Sequence, residues 1–181
     1  MGATANAPAI ADTLQRLETV LRRRPEAGLH DDAPATAHWQ GRTRVVTRHA
    51  NGKEMPTDMP EEMGGTGDQV SPGWLFRAGV ASCAATSIAM MAVREGIALD
   101  RLEARVESTS DARGMFGLLE PDGTVVSAAP CAVRLHIRIT ARGVPPERLR
   151  TLVENGCRRS PIPSAVLAAV PMSLHIQLAE D

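Results

Sequence analysis

The chain has 181 residues, of which 43% are hydrophobic and 23% are charged, and its formal net charge is −1. This length and composition predict a single packed globular protein and exclude a disordered chain. Only 2% of the residues are aromatic, so the stacking platforms that bind single-stranded nucleic acid are nearly absent. The near-neutral net charge gives no basic surface for binding a duplex.

The N-terminal segment predicts an amphipathic helix over residues 8–24. Three arginines come directly before Pro25, which is typical of a helix C-terminus. An anionic partner is one explanation of these arginines, but a solvated helix end is the simpler one. We therefore assign residues 1–34 to an N-terminal extension and residues 35–181 to the main domain. The apolar residues of the helix recur at helical spacing: Ile10, Leu14, Leu17 and Leu21.

A β-hairpin and a loop are predicted next. Residues 35–50 alternate weakly between apolar and polar side chains, and Asn51-Gly52 is a strong signal for a hairpin turn. Residues 56–67 are rich in proline and glycine and predict a loop. The glycines of this loop do not form a dinucleotide fingerprint, and no Gly-Lys-Ser/Thr follows them, so a phosphate-binding loop is excluded.

The longest apolar stretch predicts a helix between Ser71 and Gly96. Ser71 suits the N-cap, Pro72 suits the first helical position, and Gly96 suits the C-terminal end. Such a helix has roughly 24 residues and an axis of about 36 Å. Arg77 interrupts the apolar run, so we interpret it as a buried helix rather than a membrane span. A helix that is apolar on most of its circumference must be enclosed.

The second half of the chain predicts strands and a pair of helices. A turn is predicted at Pro121-Asp122-Gly123, and the last strand would place Met172, Leu174, Ile176 and Leu178 inward. The helices are few and unevenly spaced, which favours the α+β class over a doubly wound sheet. Alternation predicts strands over residues 99–108, 131–140 and 172–178, and helices are expected over residues 146–157 and 164–170.

Three cysteines, Cys83, Cys131 and Cys157, form no Cys-x-x-Cys pair, and the N-terminus has no apolar signal segment. We therefore expect a reducing, cytoplasmic setting. Strand parity places Cys131 in the core, and the adjacent helix end predicts an exposed Cys157. The five histidines are scattered without metal-ligand spacing, so we expect no metal site and no other cofactor. No Gly-x-Ser-x-Gly motif is present either, which leaves thiol chemistry as the enzymatic option.

Cys83 lies inside the long helix among small residues. Its neighbours three and four positions away are Gly79, Val80, Thr86 and Ser87, which leave space and provide two hydroxyl groups. A thiol must be a thiolate to act as a nucleophile, and the helix N-terminus is too far away to stabilise that charge. Two alternatives remain: an inert packing residue, which the apolar surroundings favour, or a reactive thiol at the floor of a cavity.

Four motifs occur in a fixed order along the chain. They are Ala-Thr-Ala-His-Trp39 with Gly41, Thr57-Asp-Met-Pro with Gly64-Gly65, the helical segment from Pro72 to Cys83, and Ser160-Pro-Ile-Pro-Ser-Ala-Val. Together they resemble the osmotically inducible and organic hydroperoxide resistance (OsmC/Ohr) family. The resemblance implies an α+β homodimer of intertwined chains, in which curved antiparallel sheets wrap around paired central helices. Its active sites would lie at the dimer interface, with no nucleic acid or membrane as partner.

The resemblance also implies a chemistry. Cys83 would be the peroxidatic cysteine that attacks organic or fatty-acid hydroperoxides, and an external dithiol or a lipoylated protein would restore it. An arginine from the hairpin would contact the thiolate, with Arg42 as first choice and Arg44 as the alternative. Gly79, Thr86 and Ser87 would line the substrate pocket.

The chain departs from the family at two catalytic positions. Gly73 stands where hydroperoxide reductases have a glutamate, and Ser160 stands where they have the resolving cysteine. Cys157, three residues earlier, would be a displaced resolving thiol unless an external thiol takes that role. Two hypotheses follow: a thiol-dependent hydroperoxide reductase, or a non-catalytic member that binds a small hydrophobic ligand or serves a structural role.

Overall fold

The computed structural model describes residues 7–168 and 170–178. It begins with helix α1, Ala7–Arg23, and a 3-10 turn, Pro25–Gly28. The apolar spacing of this segment therefore matches a helix, while residues 1–6 lie outside the described part. The assignment of residues 1–34 to a separate extension stays a prediction.

Three short strands form the first sheet, in the antiparallel order β1-β2-β3. The predicted turn at Asn51-Gly52 joins β2 and β3, and Gly52 has the positive φ of 82° that this turn requires. Residues 35–50 hold two strands rather than one, because Gly41 and Arg42 adopt left-handed φ values of 100° and 51° and reverse the chain. The strands are β1, Thr36–Trp39, β2, Val45–Arg48, and β3, Glu54–Thr57.

Helix α2, Pro72–Arg94, confirms the predicted long helix. The Ser71 hydroxyl caps it by accepting a hydrogen bond from the Trp74 amide at 3.2 Å. Gly96 ends it with a φ of 66°, and the Ile97 amide donates to the Ala92 carbonyl at 2.8 Å. This pair of features is a Schellman motif, in which the left-handed glycine lets the chain turn back and satisfy the last carbonyls.

The second half contains a two-stranded antiparallel sheet and three helices. Its register pairs Leu102 with Ile139 and Val106 with Leu135, so the apolar residues share one face. The predicted turn at Pro121-Asp122-Gly123 is present between Glu120 and Thr124, whose backbones bond at 2.8 Å. The elements are β4, Arg101–Thr109, α3, Ala112–Met115, β5, Ala132–Thr140, α4, Pro146–Arg158, and α5, Pro161–Ala168. The class is α+β, as predicted.

Helix α2 is the centre of the chain and contacts α1, α4, α5 and β4. Helix α4 runs antiparallel to α2, with Leu152 packed against Met91 and Ala92 in the small core. The two helices come closest at Gly156, where a Cβ atom would lie 2.9 Å from the Cα atom of Ile88. This glycine therefore sets how near α4, and the residues that follow it, can approach α2.

The predicted C-terminal strand is not present as a strand. Residues 171–178 have no regular secondary structure, and Met172 and Leu174 are 91% and 78% exposed. Their alternation supplies an apolar face, but a strand also needs a neighbouring strand edge for its hydrogen bonds. The preceding helix starts at Pro161 rather than at residue 164, and residue 169 lies outside the described part.

Much of the apolar surface is uncovered within one chain. By length and composition alone, α2 is the one helix among the described residues that could cross a membrane, and 28% of its most apolar window is buried. Among residues 7–168 and 170–178, no principal packing contact joins the first sheet to a helix. The first sheet therefore has no extensive contact with the described helices of its own chain.

Candidate functional site

Cys83 is half-buried in the middle of α2. The Ser160 hydroxyl donates a hydrogen bond to its sulfur, with 3.1 Å between Oγ and Sγ. Ser160 itself is fully buried, at 0% exposure. A buried hydroxyl at this distance can stabilise negative charge on the sulfur, so the thiol is neither a surface cysteine nor packed only against carbon atoms.

Ser160 is held in place by the junction between α4 and α5. Its amide donates to the Cys157 carbonyl at 3.1 Å, and its carbonyl accepts from the Ser164 amide at 3.0 Å. Pro161, at the first position of α5, has no amide hydrogen and suits a helix start. Because the backbone is fixed on both sides, the side chain of Ser160 is directed at α2 and reaches Cys83.

The three predicted pocket residues lie in different places. A Cβ atom on Gly79 would lie 3.7 Å from Ile162 Cδ1, so this glycine faces α5. Thr86 is exposed and Ser87 is half-buried. Within the described ranges, neither hydroxyl bonds to Cys83. Sequence analysis identified Ser160 only as a replaced cysteine and missed it as the hydroxyl that contacts the thiol.

The other two cysteines are placed differently from their predictions. Cys131 was expected in the core but is exposed, because it precedes β5 at the end of the sheet; its thiol donates to the Thr109 carbonyl at 3.2 Å. Cys157 was expected to be exposed but is half-buried on α4, and burial raises the pKa of its thiol. All three cysteines are free thiols.

Arg42 lies on the exposed turn between β1 and β2. Its Nη2 donates to the Gly64 carbonyl at 3.3 Å, and its own carbonyl accepts from Trp39 Nε1 at 2.9 Å. In the described part of one chain, neither Arg42 nor Arg44 bonds to Cys83. The structure thus brings together Cys83 and Ser160, and it does not bring the hairpin arginines to them within the same chain.

Asp58 forms a buried network that sequence analysis missed. Its carboxylate is 2% exposed and accepts from the Thr43 hydroxyl at 2.6 Å and the Thr66 hydroxyl at 2.7 Å. These hydrogen bonds, from Thr43 first and then from Thr66, hold the pKa of Asp58 well below its usual range. The network fixes the hairpin on the loop that follows β3. No spacing in the sequence connects these three residues.

Arg44 is bound by this acidic loop. It forms ion pairs with Asp68 and Asp58, and the hydrogen bond that Arg44 donates to Asp68 is the main cause that raises the pKa of Arg44. Arg42 has no carboxylate partner among the described residues. Of the two candidate arginines, Arg42 is therefore the one whose positive charge is not paired with a carboxylate among the described residues.

The start of α2 has no acidic residue at position 73. A Cβ atom on Gly73 would lie 3.7 Å from Arg77 Nη1, and Arg77 donates to the Ser108 hydroxyl on β4 at 3.2 Å. Arg77 thus points away from Cys83, as its position on the helix predicted. No group of three or more His, Cys, Asp or Glu side chains in the described ranges could hold a metal ion.

Comparison with known proteins gives one family. Residues 65–175, more than half of the chain, match the family described as "OsmC-like protein". No curated protein sequence matches the chain. Helix α1 and the first sheet lie outside the matched residues.

Solved structures agree with this result. An OsmC-like protein from Mycoplasma pneumoniae superposes with a TM-score of 0.64 at 15% identity, covering 77% of this chain and 90% of that one. A Legionella pneumophila protein, described as "an organic hydroperoxide resistance protein OsmC, predicted redox protein, regulator of sulfide bond formation", gives 0.57 at 26% identity, with 77% and 92% covered. An organic hydroperoxide resistance protein from Elizabethkingia anophelis gives 0.56 at 18% identity, with 77% and 91% covered.

Proposed function

This chain belongs to the OsmC-like protein family, and we propose that it is a thiol-dependent peroxidase that reduces organic hydroperoxides, including fatty-acid hydroperoxides, through Cys83. The observation that carries the proposal is the hydrogen bond from the buried Ser160 hydroxyl to the Cys83 sulfur at 3.1 Å. It gives the Cys83 sulfur a buried hydroxyl donor, whereas the exposed Cys131 instead donates from its own sulfur to the Thr109 carbonyl at 3.2 Å. The Legionella protein, at 26% identity, is described as an organic hydroperoxide resistance protein, which supports the same chemistry.

The proposed reaction begins with the Cys83 thiolate. Its sulfur attacks the outer oxygen of the hydroperoxide, the O–O bond breaks, and the alkoxide leaves as an alcohol after it takes up a proton. Cys83 becomes a sulfenic acid and is oxidised by two electrons. The Ser160 hydroxyl positions the sulfur during the attack, since its backbone is fixed between two helices.

An external thiol is the reductant that best fits the site. It would form a mixed disulfide with Cys83 and release water, and a second thiol would then free Cys83. Cys157 is the alternative, but it lies three residues before Ser160, about 4.5 Å along α4. Burial also raises the pKa of the Cys157 thiol, which leaves less of the thiolate that resolution needs.

The complete site requires a second chain in this proposal. Within the described part of one chain the first sheet has no extensive contact with the helices, and Arg42 has no carboxylate partner. Large apolar side chains on α2 and at the C-terminus are exposed, with Trp74 at 46% and Met172 at 91%. A homodimer would cover this surface and would bring the partner's hairpin, with its Arg42, to Cys83. The three free thiols fit a reducing cytoplasm.

A test of the proposal compares Cys83→Ser with Cys131→Ser as a matched control. After one equivalent of cumene hydroperoxide and a sulfenic-acid trap, mass spectrometry should find the trapped adduct on Cys83 in the wild type and in the control. Cys83→Ser should consume no peroxide. Thiols that stay unmodified in the wild type would overturn the proposal. The proposed homodimer is tested separately: light scattering on the same samples should give twice the chain mass of 19.3 kDa.

A second function, the binding of a hydrophobic ligand without turnover, is favoured by one separate observation. A groove with apolar walls lies beside α1 and reaches Ser87 and Pro161, the neighbours of the thiol site. Ligand binding that stays unchanged in Cys83→Ser, together with no peroxide consumption by the wild type, would favour this function over the peroxidase.

A further inference from the structure

A groove of about 780 Å³ lies between α1, the C-terminal half of α2 and the α4–α5 junction. We propose that this acyl groove binds a long-chain carboxylate, with the hydrocarbon chain along its apolar walls and the carboxylate at Arg159. The site does not depend on turnover at Cys83, so it goes beyond the proposed peroxidase function, and it names the ligand class for the groove on which the second function rests. Its volume falls within the range of about 300–1,000 Å³ that is typical of small-molecule sites.

The walls of the acyl groove are apolar and come from three helices. Helix α1 contributes one wall, because its apolar residues recur at helical spacing and so lie on one face. Helix α2 contributes the opposite wall. A methylene chain gains free energy from burial against such surfaces without requiring a specific shape. The apolar lining residues are Leu14, Leu17, Leu21, Met90, Met91 and Pro161.

The charged lining of the acyl groove is unbalanced. It holds three arginines, Arg22, Arg94 and Arg159, and one carboxylate, Glu18. Glu18 forms ion pairs with both Arg22 and Arg94, so its charge is already shared. The groove therefore carries a net charge of +2 from these four residues.

Arg159 is the cation that remains available. Its Nη1 lies 3.6 Å from the Met91 sulfur. Arg159 forms no ion pair within the described ranges, although its charge contributes, after Arg22 and Arg94, to the lowered pKa of Glu18. A guanidinium presents two parallel donors that match a carboxylate. An apolar groove whose charged lining is net positive fits an amphipathic anion better than an uncharged lipid, because the anion matches both the walls and the charge.

The acyl groove includes a part of the chain that lies outside the family match. Helix α1, which forms a whole wall, precedes the residues 65–175 that match the family. At its inner end the groove includes Ser87, one helical turn beyond Cys83, and Pro161, the neighbour of Ser160. A bound acyl chain would thus lie beside the thiol site without using it.

The test measures binding of cis-parinaric acid, a fluorescent C18 carboxylate, to the full chain, with its methyl ester as the uncharged probe. The wild type should bind the acid more tightly than the ester. Arg159→Gln should weaken binding of the acid by about fivefold, as expected for a partly exposed ion pair, and should leave the ester unchanged. The same result should hold in a Cys83→Ser background, which separates this site from the peroxidase proposal.

Arg158→Gln is the matched control. It removes the same charge from the adjacent residue of the same helix end, which is exposed and does not line the groove, so its ratio of acid to ester affinity should equal that of the wild type. Leu17→Glu, at a position that is 52% exposed, should weaken both probes by placing a negative charge on the apolar wall. Equal affinity of the wild type for acid and ester, equal effects of the two arginine variants, or no binding because a second copy covers the groove would overturn the proposal.

Discussion

Replacing Ser160 by cysteine should create a disulfide with Cys83. The Ser160 oxygen lies 3.1 Å from the Cys83 sulfur, and an S–S bond is about 2.05 Å long. The two side-chain atoms must therefore approach by about 1 Å, which side-chain rotation can supply. In the wild type, peroxide should instead leave Cys83 as a sulfenic acid.

The size of the effect follows from the loop that the new bond closes. Positions 83 and 160 are separated by 77 residues, and loop-closure entropy for this length predicts up to about 4.5 kcal/mol of stabilisation. Engineered disulfides commonly deliver less, so we expect about 2–4 kcal/mol. For a chain of this size, that corresponds to a rise in Tm of roughly 5–15 °C.

The assay treats Ser160→Cys with one equivalent of cumene hydroperoxide, maps disulfides by mass spectrometry and compares Tm with and without reductant. Ser164→Cys, one turn further along α5, is the matched control, because Ser164 bonds to the Arg158 carbonyl rather than to Cys83. It should form no bond to Cys83. If oxidised Ser160→Cys shows a Cys83–Cys157 disulfide, or none at all, the placement of Ser160 against the thiol is refuted.

Two further predictions concern the fold around the site. Asp58→Asn should lower Tm at neutral pH and flatten its dependence on pH. Because the folded pKa of Asp58 is depressed, the contribution of Asp58 to stability is present above the unfolded pKa of about 3.9 and is lost as the pH falls towards the folded value. A Tm profile from pH 7 to pH 3 that runs parallel in both proteins would contradict this. Gly156→Ala should destabilise by about 1–3 kcal/mol, because the new Cβ would lie 2.7 Å from Ile88 Cγ1. Gly79→Ala, whose Cβ would meet Ile162 at 3.7 Å, should be neutral or stabilising by up to about 1 kcal/mol in urea unfolding.

The bounds of helix α2 could be predicted from the residues at its two ends. Ser71, Pro72 and Gly96 are residues whose preferred backbone geometry stops or starts a helix, and the structure has the helix between them. The turn at Asn51-Gly52 was equally local. Both depend on interactions within a few residues, so no knowledge of the rest of the fold was needed.

The errors share a cause, because each depended on which other element lay nearby. Strand parity assigned Cys131 to the core, but Cys131 precedes β5 at the end of the ladder and is exposed in the described structure. Alternation predicted a strand over residues 172–178, but these residues pair with no strand in the part of the chain that the structure describes. The Asp58 network joins three residues that are distant in the sequence, and no periodicity signals such a contact.

By itself, the sequence determined the α+β class, the bounds of α2 and the position of Cys83 on it, since these depend on backbone preference and on apolar spacing along the chain. Only the tertiary structure decided what faces that thiol. The close approach of α4 at Gly156 brings the buried Ser160 hydroxyl to the Cys83 sulfur. The Asp58 loop binds Arg44, while Arg42 has no carboxylate partner among the described residues. Both outcomes arise from packing between distant segments, which side-chain pattern alone does not specify.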